Sequence, residues 1–358
     1  MYIKYLKLKN FRNYDELKLN FSKEKNIIYG DNAVGKTNIL ESIYILSTAK
    51  SHKLAKDKNI IKFGKEESHI QAEINNHIID INLHKNKNKG IAINKIKINK
   101  ISQFFGISNV IFFSPEDLNI IKDGPAIRRK FLDFEICQIN KLYISNIINY
   151  NKIMEERNVL LKEITLNNKK KLYDTLDVWD DYLIKYGKEI IKIRKIFLED
   201  LKNYIEEKHY QISGKKEKLE IYYEQNTSIE EYEKNIKKNR DKDLKYLMTT
   251  IGPHRDDIIF KINKNDLKIY GSQGQQRTAA LSLKISEIEF IKNKIKDTPI
   301  LLLDDVFSEL DEKRQKNLIN SLKGIQTIIT TTGIEDNLIK KLNAEKVYNI
   351  KNNEAILK

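Results

Sequence analysis

The chain has 358 residues, of which 40% are hydrophobic, so it can bury a large core and favours one main domain with an inserted or appended unit. Its 65 Lys and Arg exceed its 50 Asp and Glu, and the formal charge of +15 either attracts nucleic acid or reflects lysines on solvated helix faces. The sequence shows no apolar run near the roughly 18 residues of a membrane span and no secretory signal, so we expect a cytoplasmic protein without membrane association. Because it has one cysteine, we expect no internal disulfide.

The first strong motif is a strand, a glycine-rich loop and a helix in direct succession. Residues 26–29 form a short apolar run, the loop begins at Gly30, and apolar residues then recur at helical spacing, which is the context of a phosphate-binding loop. Lys36 is placed to reach the β- and γ-phosphates of ATP, and Thr37 to ligate Mg²⁺; the alternative is a plain turn. The predicted nucleotide-binding residues are Gly30, Asp31, Asn32, Ala33, Val34, Gly35, Lys36, Thr37 and Asn38.

A lysine-rich segment follows among short predicted strands in residues 50–105. Lys95 and Lys97 alternate with Ile96 and Ile98, which predicts a strand with one basic and one apolar face. We interpret this segment as a hairpin that follows a DNA backbone without reading bases; a solvated strand face is the alternative. The lysines concerned are Lys85, Lys87, Lys89, Lys95, Lys97 and Lys100.

The pattern from residue 116 to 210 is helical, charged and poor in Gly and Pro. We expect an inserted helical arm in 116–210, with the main domain built from residues 1–115 and 211–358. Arg128 and Arg129 near the start of this arm either face DNA or pair with nearby acidic residues.

A second polar loop with glycines precedes a strongly periodic helix near residue 281. A loop of this kind at a helix start can bind an anion, although it can also serve only to cap the helix. One γ-phosphate cannot easily contact both this loop and the P-loop of the same molecule, so a second molecule would supply the phosphate. The residues predicted to contact nucleotide here are Ser272, Gly274 and Gln275.

An apolar run from Pro299 ends in two acidic residues, as buried strands of α/β sheets do next to their ligands. Asp304 is placed to hold Mg²⁺, and Asp305 to orient or deprotonate the attacking water, with Lys36 as its catalytic partner. Two acids that merely cap the next helix are the alternative. Because the P-loop and this acidic pair stand near opposite chain ends, the two ends must fold together around an insertion.

Several stretches of the chain together resemble one family. The stretches are KNFRNY from Lys9, GDNAVGKTNILESIY from Gly30, FSPEDL from Phe113, RRKFLD from Arg128, GPHRDD from Gly252, GSQGQQRT from Gly271 and ILLLDDVFSELD from Ile300. The set resembles the RecF family of bacterial recombination mediators, which are ABC-type ATPases related to the heads of Rad50 and SMC proteins. Ala33 stands where many ABC proteins have Gly.

The resemblance implies an α/β fold of the ABC-type ATPase head, made from both chain ends, with the inserted α-helical arm. It implies ATP-dependent dimerisation, in which Ser272 and Gly274 of one copy reach the γ-phosphate that Lys36 of the other holds. It also implies slow ATP hydrolysis, binding to gapped, single-stranded or double-stranded DNA, and action with RecR, and often RecO, to direct RecA loading at gaps.

Two other functions remain possible at this point. An ABC subunit of a transporter is disfavoured by the inserted arm and the basic charge. A structural SMC-like or Rad50-like protein needs long heptad arms, and the sequence here lacks sustained heptads.

Overall fold

The computed structural model describes residues 1–53, 56–167, 169–333 and 336–358. Within these ranges, fifteen strands form three sheets. The strands are β1 (Ile3–Phe11), β2 (Tyr14–Asn20), β3 (Lys25–Tyr29), β4 (Glu67–Ile74), β5 (His77–His84), β6 (Gly90–Ile93), β7 (Ile96–Lys97), β8 (Val110–Phe113), β9 (Leu219–Glu224), β10 (Asp257–Ile262), β11 (Asn265–Asp266), β12 (Ile300–Asp304), β13 (Thr327–Thr331), β14 (Lys346–Lys351) and β15 (Glu354–Leu357).

The helices fall mainly in the middle of the chain. They are α1 (Lys36–Thr48), α2 (Leu118–Lys122), α3 (Pro125–Ile139), α4 (Lys141–Leu166), α5 (Leu176–Ile212), α6 (Tyr232–Lys238), α7 (Arg240–Tyr246), α8 (Leu267–Tyr270), α9 (Gln273–Ile295), α10 (Glu312–Ser321) and α11 (Asp336–Leu342). In the described part of the chain, every helix is too short or too polar to cross a membrane.

The chain forms two compact units, one made of residues 1–117 and 281–358 and the other of residues 118–280. The two chain ends therefore belong to one unit, as the sequence analysis expects. The boundary differs on the C-terminal side, because residues 211–280 belong to the second unit instead of to the head. The physical reason is that β9 packs against the long helix α5 of the second unit and also pairs with β10, which brings both strands into that unit.

The first unit contains two six-stranded sheets. One is antiparallel, in the order β2-β1-β4-β5-β6-β7. The other has the order β15-β14-β3-β13-β12-β8, in which only β15 runs antiparallel to its neighbour. Helix α1 contacts strands of both sheets, and Ile39, Leu40, Ile43 and Leu46 on it are fully buried. An α-helix buried on all sides in this way fixes the loop from which it starts.

The second unit packs α4 and α5 together and adds the antiparallel sheet β11-β10-β9. Its interior is ionic as well as apolar. The fully buried Arg157 donates to Asp180 and to Asp243 at 2.7 Å each. Because removing one partner would leave a buried charge uncompensated, such pairs hold the helices in one arrangement.

Candidate nucleotide-binding site

The loop between β3 and α1 has a backbone that requires glycine at two positions. Gly30 has a φ of 154°, and a Cβ there would lie 2.5 Å from the carbonyl oxygen of Ile350. Gly35, at the start of α1, has a φ of 104°. Ala33 also has a positive φ, of 64°, which costs roughly 1–2 kcal/mol for a residue with a Cβ. The loop is therefore held in a wound shape, of the kind whose backbone N–H groups bind an anion.

The side chain of Lys36 folds back into this loop. Its Nζ donates to the carbonyl oxygens of Gly30 and Asp31, at 2.7 Å in each case. Burial lowers the pKa of the Lys36 ammonium, while the neighbouring carboxylates of Asp305, Asp304 and Asp31 raise it. A buried cation bonded to neutral carbonyls gains strongly from a phosphate, so the loop fits the phosphates of a nucleotide.

Asp304, at the carboxyl end of β12, meets Thr37 at the start of α1. The Thr37 hydroxyl donates to Asp304 Oδ1 at 2.9 Å, and the Thr330 hydroxyl donates to the same oxygen at 2.6 Å. This meeting follows from the strand order, because β13 lies between β3 and β12 and all three run parallel. One carboxylate and one hydroxyl beside a phosphate loop are the ligands that Mg²⁺ uses when substrate phosphates complete its shell.

Asp305 follows directly and has a left-handed backbone, with a φ of 52°. Its Oδ1 is buried without a hydrogen-bond partner in the described part of the chain. Burial raises the pKa of the Asp305 carboxyl, opposed mainly by Ser308 and Lys36. A buried acceptor without a partner beside the phosphate loop can orient a water molecule and take its proton.

Asn13 is a residue of this site that the sequence analysis did not single out. Its Nδ2 donates to the Val34 carbonyl oxygen at 3.0 Å, and its Oδ1 accepts from the Asn38 amide at 2.8 Å. A Cβ at Gly35 would lie 2.5 Å from Asn13 Nδ2. Asn13 therefore clamps the P-loop against the turn between β1 and β2, and its only sequence signal was its place in the KNFRNY stretch.

The second predicted phosphate loop lies in the other unit, at the start of α9. The Ser272 N–H donates to Gln275 Oε1 at 2.9 Å, and the Gln275 N–H donates to Ser272 Oγ at 3.2 Å, which forms a capping box. Gln275 Nε2 also donates to Glu217 Oε1 at 2.8 Å. Ser272 and Gly274 are exposed. The serine hydroxyl accepts one bond here, and none of the described residues accepts its proton.

Comparisons with known proteins agree on one family. A model of the RecF/RecN/SMC N-terminal domain matches residues 2–110. The chain is 51% identical to the DNA replication and repair protein RecF of Lachnospira eligens over 99% of both chains. It is 52% identical to RecF of Lachnoclostridium phytofermentans over 98% of both. The chain belongs to the RecF family.

Solved structures agree with this assignment. A structure of the recombination mediator RecF with ATP covers 100% of this chain, and the chain covers 97% of that structure, with 38% identity and a TM-score of 0.92. An Smc head bound to a domain of ScpA, 16% identical with a TM-score of 0.58, shows the shared fold. The predicted ABC-type ATPase head with an inserted helical part is confirmed, and the transporter alternative is set aside by membership of the RecF family.

The predicted basic strand of this RecF family member is different in the structure. Lys95 lies in the turn between β6 and β7, with a φ of 66°, and Ile96 is 73% exposed. The prediction of one basic and one apolar strand face is therefore wrong, because the chain reverses at Asn94 and Lys95. Lys85 pairs with Glu66, and Lys89 with Asp57. The exposed lysines of this segment are Lys85, Lys87, Lys95, Lys97 and Lys100.

Arg128 is turned inward and does not face DNA. It is 5% exposed and forms a two-bond pair with Asp257, at 2.6 and 2.8 Å. Arg129 is partly buried and donates to the Asp256 carbonyl oxygen at 2.8 Å. Of the two alternatives, pairing is the one that the structure shows. Asp256 and Asp257 belong to the GPHRDD stretch, which therefore has a packing role in this unit.

His254 of the same stretch is also part of this polar interior. Its Nδ1 is 2.7 Å from the Tyr150 hydroxyl, and its Nε2 is 3.0 Å from the Thr249 carbonyl oxygen. Burial lowers the pKa of His254 to about 4, so the imidazole is neutral at physiological pH. In the described part of the chain, no group of His, Cys, Asp and Glu residues could hold a metal ion by itself.

Proposed function

We propose that this chain is an ATP-switched DNA-binding protein of DNA replication and repair. ATP joins two copies of the chain around DNA, and slow hydrolysis, stimulated by DNA, separates them. One observation carries the proposal: Thr37 and Asp304, from opposite ends of the chain, meet at 2.9 Å beside the buried ammonium of Lys36. RecF relatives and a RecF structure with ATP, in the RecFOR pathway, support the assignment.

In this proposal the P-loop binds the phosphates through its backbone N–H groups and Lys36. The side chains of Thr37 and Asp304 would hold Mg²⁺, which would supply positive charge against the charge that develops on the phosphates. Asp305 orients the attacking water and accepts its proton, because its Oδ1 is buried without a partner in the described part of the chain.

The second phosphate loop acts on the nucleotide of another copy. Ser272 lies at the N-terminus of α9, and its hydroxyl together with the positive end of this helix suits the γ-phosphate that a second copy binds. Gln275, which the sequence analysis placed at the nucleotide, instead holds Ser272 through the capping box. Two such composite sites per dimer make ATP the link between copies, and loss of the γ-phosphate weakens that link.

The bound DNA is a gap or a single-strand to double-strand junction, and the role in the cell is to direct RecA loading there, with RecR and RecO, in the cytoplasm. This part of the proposal rests on family membership. The formal charge of +15 supports a polyanionic partner, as do the exposed Lys87, Lys95 and Lys97.

The mass of the complex in solution tests the proposal. The purified chain is measured by light scattering alone, with ATP, with ADP, and with ATP and gapped DNA. We expect a monomer alone and with ADP, a dimer with ATP, and a dimer on DNA with ATP. A chain that keeps one mass and one DNA affinity with and without ATP contradicts the switch.

A further inference from the structure

Phe63 is the most exposed large apolar residue in the described part of the chain, with a fully exposed ring. It stands at the second position of a four-residue turn, Lys62 to Lys65, which is closed by a hydrogen bond from Lys65 N to Lys62 O at 3.0 Å. Gly64, at the third position, has a φ of 80°, as a type II turn requires. The turn therefore presents the aromatic ring to solvent.

The base of this turn is fixed to β1. Ile61 pairs with Phe11, the Lys62 N–H donates to the Asn10 carbonyl oxygen at 2.8 Å, and Ile60 and Ile61 are buried. The exposed ring is thus carried on an anchored turn. The exposed ring is accessible to a ligand, and the chemistry of the surface beside it decides which ligand fits.

A cleft of about 640 Å³ opens beside Phe63. Four basic side chains line it, and none of its lining residues in the described part of the chain is acidic. The basic residues are Arg12, Lys58, Lys62 and Lys85. The Lys58 ammonium has no ion pair with any described residue. Lys62 and Lys85 pair with the exposed carboxylates of Asp15 and Glu66, and such surface pairs are weak enough for a phosphate to replace them.

We propose that the Phe63 turn and this cleft bind single-stranded DNA, with Phe63 stacked on an unpaired base and the lysines holding the adjacent phosphates. Aromatic rings beside a basic groove are how proteins hold single strands without reading sequence. A protein partner would call for apolar neighbours, whereas the neighbours of Phe63 along the turn are lysines and glycine. This proposal rests on the DNA-binding function proposed above and adds the residues that hold the single strand.

The same contacts connect the cleft with the nucleotide site. Lys62 Nζ donates to the Asn13 carbonyl oxygen at 3.1 Å, and Asn13 Nδ2 donates to the carbonyl oxygen of Val34 in the P-loop. Lys62 in the cleft and Val34 in the P-loop therefore share Asn13 as a hydrogen-bond partner. We expect ATP to alter the affinity of this cleft for DNA.

The test compares variants on three DNAs, single-stranded, duplex and gapped duplex, with ATP and without it. Phe63→Ala should weaken single-stranded and gapped DNA binding about tenfold and leave duplex binding unchanged. Phe63→Trp should retain the affinity, and its fluorescence should be quenched by oligo(dT). Tyr246→Ala, which removes another exposed aromatic residue, should bind as wild type does.

Charge variants complete the test. Lys58→Gln should reduce the slope of log affinity against log salt by about 0.7 on single strands, while Lys323→Gln, an exposed lysine outside the cleft, should leave it unchanged.

If wild type binds all three DNAs in an ATP-dependent way and Phe63→Ala does the same, this inference fails and the proposed function stands. If Phe63→Ala instead weakens ATP binding in the absence of DNA, the ring belongs to the nucleotide site and the inference also fails. If wild type shows no ATP-dependent DNA binding, both fail.

Discussion

The Thr37 hydroxyl donates to the Asp304 carboxylate at 2.9 Å, and Thr330 donates to the same carboxylate oxygen. Thr37→Ala therefore leaves Asp304 held by Thr330 but removes one oxygen that suits Mg²⁺. We expect ATP affinity to fall roughly ten- to a hundredfold in Mg²⁺ and to stay unchanged in EDTA, because a bond to a charged group contributes ~1.5–3 kcal/mol. Calorimetric titration under the two conditions measures both. An equal loss in EDTA would show that Thr37 acts on the fold instead.

Lys36→Arg and Ser272→Arg test the two halves of the composite site. Lys36→Arg should lose ATP-dependent dimerisation, because a larger, planar cation does not fit the pocket that Nζ occupies between the Gly30 and Asp31 carbonyls. Ser272→Arg should bind ATP as a monomer, because its side chain would enter the partner's phosphate site. Light scattering with ATP measures both.

A mixture of these two variants gives a sharper result. In a heterodimer, the intact P-loop of the Ser272→Arg copy faces the intact second loop of the Lys36→Arg copy. An equimolar mixture should therefore form a heterodimer that binds one ATP. Ser272→Arg alone forming a normal dimer would disprove contact in trans.

Asp305→Asn should bind ATP normally, hydrolyse it at least about a hundred times more slowly, and remain dimeric. The amide keeps the size of the carboxyl group but cannot take a proton from water. Phosphate release and light scattering after ATP addition measure the two effects. Wild-type turnover in this variant would exclude Asp305 as the base.

Glu217 accepts a hydrogen bond from Gln275 Nε2 at 2.8 Å, and Gln275 in turn caps Ser272. Glu217→Ala should weaken ATP-dependent dimerisation about fivefold without changing ATP affinity, since one hydrogen bond contributes ~1 kcal/mol. Glu217→Gln keeps an acceptor oxygen and serves as the matched control. Equal behaviour of the two variants would show that Glu217 does not position the loop.

Glu287 belongs to a buried cluster in which Lys284 Nζ lies 3.1 Å from Glu287 Oε2 and 3.5 Å from Asp117 Oδ1. Burial raises the pKa of the Glu287 carboxyl from 4.5 to about 7. The folded chain therefore binds this proton more tightly than the unfolded chain. The resulting stabilisation is complete below the unfolded pKa and is lost as the pH rises through the folded pKa.

Glu287→Gln should remove this dependence on pH. Relative to the variant, wild type should lose about 1–3 kcal/mol of stability between about pH 5 and about pH 8. Thermal unfolding across this range checks the difference, and parallel profiles for the two proteins would contradict it.

The nucleotide site could be predicted because its signals are local. Gly30 and Gly35 stand where the backbone has a positive φ, so the glycines themselves indicate the shape of the loop. The apolar run before Asp304 predicts a buried strand, and the carboxyl ends of such parallel strands are where ligands bind. Thr330 and Asn13 gave no comparable signal, because their roles depend on the strand order and on a turn far away in sequence.

The residues proposed for DNA binding were harder to predict. Charge density does not say which partner a side chain meets, so Arg128 could be read either as a DNA contact or as one half of a buried pair with Asp257. The alternation of Lys and Ile around Lys95 predicts one continuous strand, but a turn at Asn94 and Lys95 separates β6 from β7. Phe63 stood out only once its exposure was known.

The position of β3 has a consequence for how the protein is made. The strand that leads into the P-loop pairs with β13 and β14, which are built from residues 327–351, near the end of the chain. While the ribosome is still translating these residues, residues 25–29 stay unpaired on both edges, and an apolar strand in that state readily aggregates. The nascent chain thus needs shielding until residues 327–351 have been synthesised and can pair with β3.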